Sequence, residues 1–487
     1  MRVEYLLSRY YSLLVRGDAT VPAGERAPSG RLFLAVVVAS VFVSVVAGTM
    51  VNVVVPVMRE DFGATEAQIG WVVTSHMLVF AVGVPLYGRI SDLFSLRRLF
   101  IMGLIVFAVG SLVCALAPDL PLLVFGRVIQ AIGDASIPAL AGVAVAKVLP
   151  PGRRGGALGM ILSSVGVGAS IGPILGGFVE QYVGWHFLFY GVLAMALLLI
   201  PGALKVLPDD SEGFGRFDLL GGIFLGLAAG LFLFGVTQGQ GAGFASPSSW
   251  GSFLGSAVSA ALFAYRITSV TEPFVSPKLF RNRPYVTATI VGFFTMLPNL
   301  AATVMVPLLV TEVNGLSPAQ AGLVLTPGAI AVAVISPRAG KLSDLVGARV
   351  LVVAGLTMMA LSLFVVSTLG AGASPMFAVA GMLGVGTGFA LANPATTNSA
   401  ANTLPGEDVG VGLGIYQGVF FLGGGTGPAL MGALLAVRSE GGGGAINPLY
   451  ALDAAPFSDV FLALTFATLI GLLAASRLRS GPEGEEI

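Results

Sequence analysis

The sequence predicts an all-α integral membrane protein, built from two related six-helix bundles with a two-helix hairpin inserted between them. Three observations predict this fold: an apolar composition, a series of long apolar stretches and an internal repeat. Of the 487 residues, 55% are apolar and only 10% are charged, and the mean hydropathy is +0.91. A soluble protein of this length needs a charged surface, so we expect lipid around most of this chain.

Fourteen stretches are long enough to cross a bilayer, which takes about 20 apolar residues per helix. They run over residues 32–56, 68–90, 98–117, 121–148, 154–180, 185–206, 217–236, 250–270, 285–311, 318–340, 348–369, 374–400, 408–437 and 456–478. Because they are long and do not alternate between apolar and polar residues, they predict helices rather than the strands of a barrel.

These stretches divide the chain into five segments. They are a tail (1–31), a first six-helix bundle (32–206), a hairpin (217–270), a second six-helix bundle (285–478) and a second tail (479–487). Basic residues favour cytoplasmic loops, and nearly all of them fall in inner loops if both tails are cytoplasmic. We therefore expect a multi-pass protein of the cell inner (cytoplasmic) membrane with both termini in the cytoplasm.

Self-similarity at a fixed spacing indicates that the two bundles are copies. GATEAQIG, which begins at Gly63, resembles GLSPAQAG, which begins at Gly315, and GRISDLFSLRR at Gly88 resembles GKLSDLVGAR at Gly340. Both pairs lie 252 positions apart. The copies therefore have the same topology and are expected to be related by a pseudo-two-fold axis along the membrane normal. Six helices need fewer residues than this, and the predicted hairpin fills the surplus.

The motifs resemble those of the major facilitator superfamily, in its fourteen-helix drug:proton antiporter branch. The family's signature loop between helices 2 and 3 is matched by Gly88, Asp92 and Arg97, and its Arg-x-x-Gln in helix 4 is matched by Arg127 and Gln130. Within the branch, residues 87–92, 272–279 and 424–427 are most similar to tetracycline efflux proteins of the Gram-positive type. The resemblance implies a transporter, not an enzyme, and we expect it to act as a monomer in membrane lipid.

A glycine-rich stretch of helix 5 matches the antiporter motif of this family and implies export rather than import. Its residues are Gly168, Gly172, Pro173, Gly176 and Gly177. Glycine lets helices approach closely and proline bends a helix, which suits a hinge or a tight interface. The family's usual coupling carboxylates are replaced by Ala47, Ala169 and Gly424.

Asp134 is the main candidate for proton coupling. It lies near mid-membrane in helix 4, where an ionised aspartate costs about 2.5–3.5 kcal/mol. Arg127 is on the same helical face, about 10 Å along the axis, so its charge acts on Asp134 without a direct salt bridge. Burial favours the neutral acid and the cation favours the carboxylate, so Asp134 is suited to load and release a proton. The alternative is a group that only holds helix 4 to its neighbours.

His76 is the second titratable candidate, since histidine changes charge near neutral pH. A lone intramembrane histidine also serves as a hydrogen-bonded packing residue, and Arg127 with Gln130 either lines a cavity or clamps neighbouring backbone. Uncharged polar residues within spans are further candidates for a substrate cavity, with interhelical hydrogen bonding as their alternative role. These candidates are Asn52, Gln130, Asn299, Asn393 and Gln417.

Carboxylates and arginines at the inner helix ends are candidates for a latch that holds one state of a rocking transporter. The pattern recurs in both copies, and its alternative is a set of solvated helix-end charges. The candidate gating residues are Gly88, Asp92, Arg97, Arg98, Arg154, Asp344 and Arg349.

The predicted function is proton-coupled efflux of amphipathic, drug-like compounds by alternating access. Lys341 lacks the glycine spacing and the following Ser or Thr of a phosphate-binding loop, and no His, Cys or Asp cluster has metal-ligand spacing. We therefore expect no cofactor, no metal and no enzymatic activity, with the proton as coupling ion. Zero net charge gives no case for a nucleic acid partner. The alternative is a facilitator or symporter for a defined small metabolite, which the missing carboxylates favour.

Overall fold

The computed structural model describes residues 30–209, 218–271, 273–405, 408–441 and 443–478. Within these ranges the fold is all α, with fourteen helices of eighteen or more residues and no strand. The predicted tail 479–487 and residues 1–29 of the predicted tail 1–31 lie outside the described ranges.

Short connections join the long helices, which we number in chain order. They are α1 (Gly30–Asp61), α2 (Trp71–Leu93), α3 (Leu96–Ala115), α4 (Leu120–Val148), α5 (Pro151–Val183), α6 (His186–Val206), α7 (Leu219–Ala242), α8 (Pro247–Ser269), α9 (Arg283–Glu312), α10 (Pro318–Val346), α11 (Ala348–Val365), α12 (Pro375–Asn402), α13 (Val409–Gly441) and α14 (Ala455–Ala475). A π turn over Val366–Gly370 extends α11.

Twelve of these helices, among the residues described, are long and apolar enough to cross a membrane. The other two are α5 and α8. Part of α5 has side chains outside the described structure, so the count does not cover this helix in full, while α8 is rich in serine, which lowers its hydropathy. The all-helical membrane fold is confirmed, and the count of fourteen spans stays a prediction.

The long helices form two bundles, each with its own apolar interior. One cluster of buried residues runs from Phe33 to Leu207 and belongs to α1–α6, which we call the N-terminal bundle. Two further clusters belong mainly to α9–α14, the C-terminal bundle, but one also takes in Leu162 of α5 and the other also takes in Phe263 and Ile267 of α8. The bundles therefore fold around separate cores and touch through particular helices.

The bundles meet at two helix crossings, the α5–α10 seam and the α2–α13 seam. Each seam joins the second helix of one bundle to the fifth helix of the other. Gly155 of α5 lies against the backbone of Gly340 in α10, and Gly410 of α13 lies against Gly88 in α2. Gly155 and Gly410 are 255 positions apart, and Gly88 and Gly340 are 252 positions apart. The duplication thus extends to the contacts between the bundles.

Helices α7 and α8 pack against each other beside the α2–α13 seam, and α7 contacts both α2 and α13. Gly226 and Gly230, one turn apart, bring α7 against Val82 of α2, because glycine leaves room for close helix approach. Farther along α7, Leu233 lies against Gly425 of α13. One face of the hairpin therefore bridges the two bundles.

Asp218 fixes the start of this hairpin. Its carboxylate accepts hydrogen bonds from Arg266 Nε at 2.6 Å and from the N–H groups of Gly221 at 3.1 Å and Phe274 at 3.2 Å. Burial acts to raise the pKa of Asp218, but the hydrogen bonds from Arg266, Gly221 and Phe274 hold that pKa below its ordinary value. Asp218 therefore ties α7, α8 and the segment after α8 together as an ionised carboxylate.

Candidate functional site

Asp134 and His76 meet in the interior of the N-terminal bundle. His76 Nε2 lies 3.2 Å from Asp134 Oδ2, and the two side chains are only 7% and 3% exposed. Helices α2 and α4 approach closely here because Gly83 leaves room for Ala135. The sequence predicted the two residues as separate proton candidates, and the structure joins them in one pair.

Each member of this pair keeps one buried polar atom without a hydrogen-bond partner among the described residues. These atoms are His76 Nδ1 and Asp134 Oδ1. A buried polar atom without a partner costs about 1–3 kcal/mol, so a contact that served packing alone would be expected to satisfy them. The pair is therefore a candidate for proton uptake and release.

Arg127 is bound away from Asp134. Its Nε donates to the carbonyl oxygen of Val72 at 3.1 Å, and its Nη1 donates to Gln130 Oε1 at 2.5 Å. Gln130 Nε2 in turn donates to Ser111 Oγ at 2.8 Å. These bonds tie α2, α3 and α4 together, so they favour the clamping role of Arg127 and Gln130 over the cavity-lining role.

An aromatic row that the sequence analysis missed leads from His76 to the C-terminal bundle. The His76 ring stacks on Phe80, with ring centroids 6.2 Å apart. Phe80 contacts Phe421 of α13 edge-on at 5.3 Å, and Phe421 contacts Phe420 at 5.5 Å. The four-residue spacing of His76 and Phe80 was visible in the sequence, but their partner helix was not.

The polar residues predicted to line a cavity have unlike surroundings. Asn393 is buried, and its Oδ1 accepts a hydrogen bond from Thr397 at 3.3 Å. Asn299 and Gln417 are half-buried, and Asn52 is exposed on α1. Asn393 thus has a packing role available within α12, and the cavity role of this group stays a prediction.

Asp344 binds the neighbouring bundle at the α5–α10 seam. Its Oδ1 accepts hydrogen bonds from the N–H of Gly155 at 3.2 Å and from Asn398 Nδ2 at 2.9 Å. Arg154, next to Gly155, donates to Asn402 Oδ1 of α12 at 3.4 Å. The contact of Gly155 with Asp344 and that of Arg154 with Asn402 cross between the bundles. Asp344 and Arg154 therefore have the positions that a latch requires.

Arg97 and Arg98 contact a carboxylate that the sequence analysis did not single out. Arg97 Nη1 and Arg98 Nε lie 3.6 Å and 4.0 Å from Asp209, and Arg97 Nε donates to the carbonyl oxygen of Leu207 at 2.7 Å. These contacts join the start of α3 to the segment after α6, within one bundle. They do not support the predicted latch between bundles for these two arginines.

The remaining predicted gating residues lie near the ends of α2 and α11. Gly88 packs on Gly410 and Gly414 of α13, where a methyl group would lie 2.6 Å from backbone atoms. Asp92 belongs to the last turn of α2, and its side chain lies outside the described part of the structure. Arg349 is half-buried in the first turn of α11. A latch role for Asp92 and Arg349 stays a prediction.

The glycine motif of α5 forms the contact of this helix with α1. A methyl group on Gly172 would overlap Thr49, and one on Gly176 would lie 2.6 Å from the carbonyl oxygen of Met50. Gly168 and Gly177 flank this contact, and a methyl group on them would lie 3.2 Å from Val45 and 3.9 Å from Val53. Helix α5 is continuous through Pro173, whose side chain lies outside the described part. The motif therefore makes a tight helix interface here.

The sequence profile of the Major Facilitator Superfamily matches residues 37–217 and 288–486. The match covers both bundles, and its interruption at 218–287 contains α7 and α8.

Several characterised proteins are similar over most of the chain. The chain is 31% identical to the multidrug resistance protein Stp of Mycobacterium tuberculosis (strain CDC 1551 / Oshkosh), over 80% of this chain and 72% of that protein. It is 28% identical to the tetracenomycin C resistance and export protein of Streptomyces glaucescens, over 87% and 79%. It is also 28% identical to the riboflavin transporter RibZ of Clostridioides difficile, over 77% and 81%.

Two crystal structures share the fold. The human organic anion transporter MFSD10 (TETRAN) superposes with a TM-score of 0.68 over 92% of this chain and 100% of that chain. The transporter FucP in the outward conformation gives a TM-score of 0.64 over 91% and 97%. Both are 14% identical to this chain, so this likeness concerns the fold alone.

Proposed function

We propose a proton-driven export function for this chain, which belongs to the major facilitator superfamily and is a multi-pass membrane transporter rather than an enzyme. Its substrates would be amphipathic, drug-like compounds, moved out of the cell as the two bundles rock. One proton entering down 100 mV releases about 2.3 kcal/mol, which sustains a roughly fifty-fold gradient of a neutral substrate. The proton is the coupling ion, and no other cofactor is proposed.

The contact between His76 and Asp134 is the observation that carries this proposal. A buried imidazole–carboxylate pair that shares one proton is electrically neutral, and the gain or loss of a proton gives it net charge. Net charge is costly in a dry interior and is tolerated once water reaches the site. Proton exchange is therefore favoured when the interior opens to one side, as antiport by alternating access requires.

Two further observations support export. The relatives Stp and the tetracenomycin protein are named for multidrug resistance and for resistance and export. In addition, the α5 glycines that resemble the antiporter motif pack closely against α1. The relatives' names favour export of a drug-like substrate, and the resemblance of the glycines to an antiporter motif favours export.

The proposal extends to the topology. We propose fourteen spans with both termini in the cytoplasm, and a monomer in which α7 and α8 are an insertion between bundles 32–206 and 285–478. The interruption of the family match at 218–287 supports the insertion. The packing of α5 between α1 and α10 supports counting it as a span.

A second candidate function is transport of one defined metabolite, by facilitation or symport. The similarity to a riboflavin transporter favours it. The absence of acidic residues at positions 47, 169 and 424 also favours it.

The test is ethidium transport by the purified protein in liposomes under an imposed pH gradient. We expect Asp134→Asn and His76→Gln each to lower gradient-driven transport at least about tenfold, because an amide does not take up a proton. Matched controls are Asp119→Asn and His186→Gln. Asp119 caps α4, where asparagine serves equally well, and His186 is the other of the two histidines.

Undiminished gradient-driven transport by Asp134→Asn would refute the proton site. Native protein that moves ethidium or riboflavin without any response to the pH gradient would refute antiport and favour the second function.

A further inference from the structure

We infer that the contact between Phe80 and Phe421 transmits the protonation state of the His76–Asp134 pair to the α2–α13 seam, and so links proton binding to separation of the bundles. The inference rests on the proposed function, because it assigns the residues through which that proton site acts on the other bundle.

The first link lies within α2. His76 and Phe80 are four residues apart, so they share one face of the helix. Their rings are nearly parallel, with an interplanar angle of 17° and centroids 6.2 Å apart. Any change in the orientation of the His76 ring therefore acts directly on the Phe80 ring.

The second link crosses between the bundles. Phe80 meets Phe421 of α13 at 5.3 Å with an interplanar angle of 78°, the edge-to-face geometry that aromatic pairs favour. Both rings pack on a small buried cluster that contains Val84, Ala135 and Ala139, and Ala135 directly follows Asp134. The contact thus joins the helix of the proton site to the C-terminal bundle.

The third link is the electrostatic setting of the His76 ring. Asp134 and Arg127 are the charged groups that act on it in the described structure. Nε2 faces Asp134, while Nδ1 makes no hydrogen bond of ordinary geometry with the described residues. A proton gained or lost by the pair changes the charge and the donors of a ring that is stacked on Phe80, so the ring orientation that suits one protonation state does not suit the other.

An aromatic contact of this kind biases an equilibrium between two states by roughly two- to tenfold. That bias is small compared with the population shift needed to close a seam completely. It suits a contact that adjusts the balance between open and closed states.

The experiment measures the separation of α2 and α13 as a function of pH. Spin labels are placed at two exposed positions, Gln68→Cys just before the start of α2 and Ser439→Cys near the end of α13. They report the distance between these helix ends in a Cys114→Ala protein reconstituted in lipid nanodiscs. We expect the distance distribution to shift between pH 5 and pH 8, and the shift to be lost in Asp134→Asn. Phe80→Leu should reduce the shift several-fold, and Phe80→Tyr, which keeps the ring, should retain it.

Phe232→Leu is the matched control. It removes one ring of an edge-to-face pair with Phe253 that lies within the hairpin, at 5.7 Å, so the shift should be unchanged. Phe421→Leu deletes the same contact from the other side, and it replaces Phe80→Leu if that variant does not fold.

A full native-like shift in Phe80→Leu and Phe421→Leu would overturn the inference, as would a native distance that does not depend on pH. Either result leaves the proposed function standing if Asp134→Asn still loses gradient-driven ethidium transport. If Asp134→Asn does not lower gradient-driven ethidium transport, the proposed function itself is refuted.

Discussion

The two seams between the bundles are built alike at one end and differently in the middle. At the end where α2 and α10 finish, glycine backbones close both seams, with Gly340 against Gly155 and Gly88 against Gly410. These four positions follow the internal repeat. The duplicated sequence therefore specifies one closing contact twice.

Toward the middle, the α5–α10 seam keeps small and polar side chains. Gly159 lies against the backbone of Ser336, and Ser163 donates a hydrogen bond to the carbonyl oxygen of Ala333. At the closed end of this seam, Asp344 also accepts a hydrogen bond from the N–H of Gly155. This seam holds the bundles together by close backbone approach and short polar contacts.

The α2–α13 seam carries aromatic rings instead, and it borders the proton candidate. Phe80 and Phe421 meet across it, His76 stacks on Phe80, and α7 covers its outer side. The repeat therefore supplies the scaffold of both seams, while in the described structure the proton candidate and its aromatic row border the α2–α13 seam. The two seams are expected to respond differently to the changes below.

The largest expected effect comes from adding a methyl group to the glycine closures. In Gly340→Ala the new Cβ overlaps the carbonyl oxygen of Gly155, and in Gly88→Ala it lies 2.6 Å from that of Gly410. Overpacking of this kind costs about 1–3 kcal/mol, which lowers the closed population about 5- to 150-fold. Gradient-driven ethidium transport should fall accordingly in both variants.

Gly191→Ala is the control for this pair, because a Cβ there meets no atom within 4 Å. If only one of the two seam variants lowers transport, the two seams do not close equivalently. That result would contradict the equivalence that the internal repeat implies.

A smaller effect is expected from tethering the hairpin to either side of the α2–α13 seam. Gly226 and Gly230 let the α7 backbone approach Val82 of α2, whereas α7 reaches Gly425 of α13 through the Leu233 side chain, so we expect α7 to move with α2. A disulfide between Val82→Cys and Gly226→Cys should leave transport near the native rate. One between Leu233→Cys and Gly425→Cys should slow it several-fold.

Both tethers are made in Cys114→Ala protein and compared before and after reduction, so that each sample is its own control. Equal rates for the two tethers would show that the hairpin follows neither bundle.

The smallest effect on transport is expected at Asp218, whose role is to hold the hairpin. Asp218→Asn should lower the free energy of unfolding by about 1–3 kcal/mol, since a charge-assisted hydrogen bond from Arg266 is lost. The pKa of Asp218 is lowered in the folded protein, so its stabilisation is complete above the unfolded pKa of about 3.9 and is lost as the pH falls through the lower folded value.

The measurement is denaturant unfolding of native protein and Asp218→Asn between pH 3 and pH 7. The difference between them should shrink at the acid end. Asp209→Asn, which changes a half-exposed carboxylate with longer ion pairs, should differ from the native protein by less than about 1 kcal/mol. A difference for Asp218→Asn that does not depend on pH would contradict its ionised role.

Much of the fold could be predicted from the sequence because apolar length is a local property. The predicted stretches 121–148 and 185–206 differ by a single residue from α4 (Leu120–Val148) and α6 (His186–Val206). The internal repeat also gave the spacing of the closing glycines, although their contacts were not foreseen.

The site could be predicted only residue by residue. His76 and Asp134 were both candidates, but they are 58 positions apart, and the rotation of α2 against α4 that joins them is set by packing at Gly83 and Ala135. For the same reason, the contact of Arg97 with Asp209 was not foreseen. Sequence motifs identify residue types, whereas their partners depend on how whole helices pack.

Asp134 is proposed to carry the coupled proton, so its amide variant is expected to exchange substrate while losing the response to a pH gradient. The most direct test compares, in Asp134→Asn liposomes, ethidium counterflow with ethidium transport driven by a pH gradient. Counterflow exchanges substrate for substrate without net proton movement. We expect counterflow near the native rate together with at least about a tenfold loss of gradient-driven transport. Equal loss of both activities, or retention of both, would contradict it.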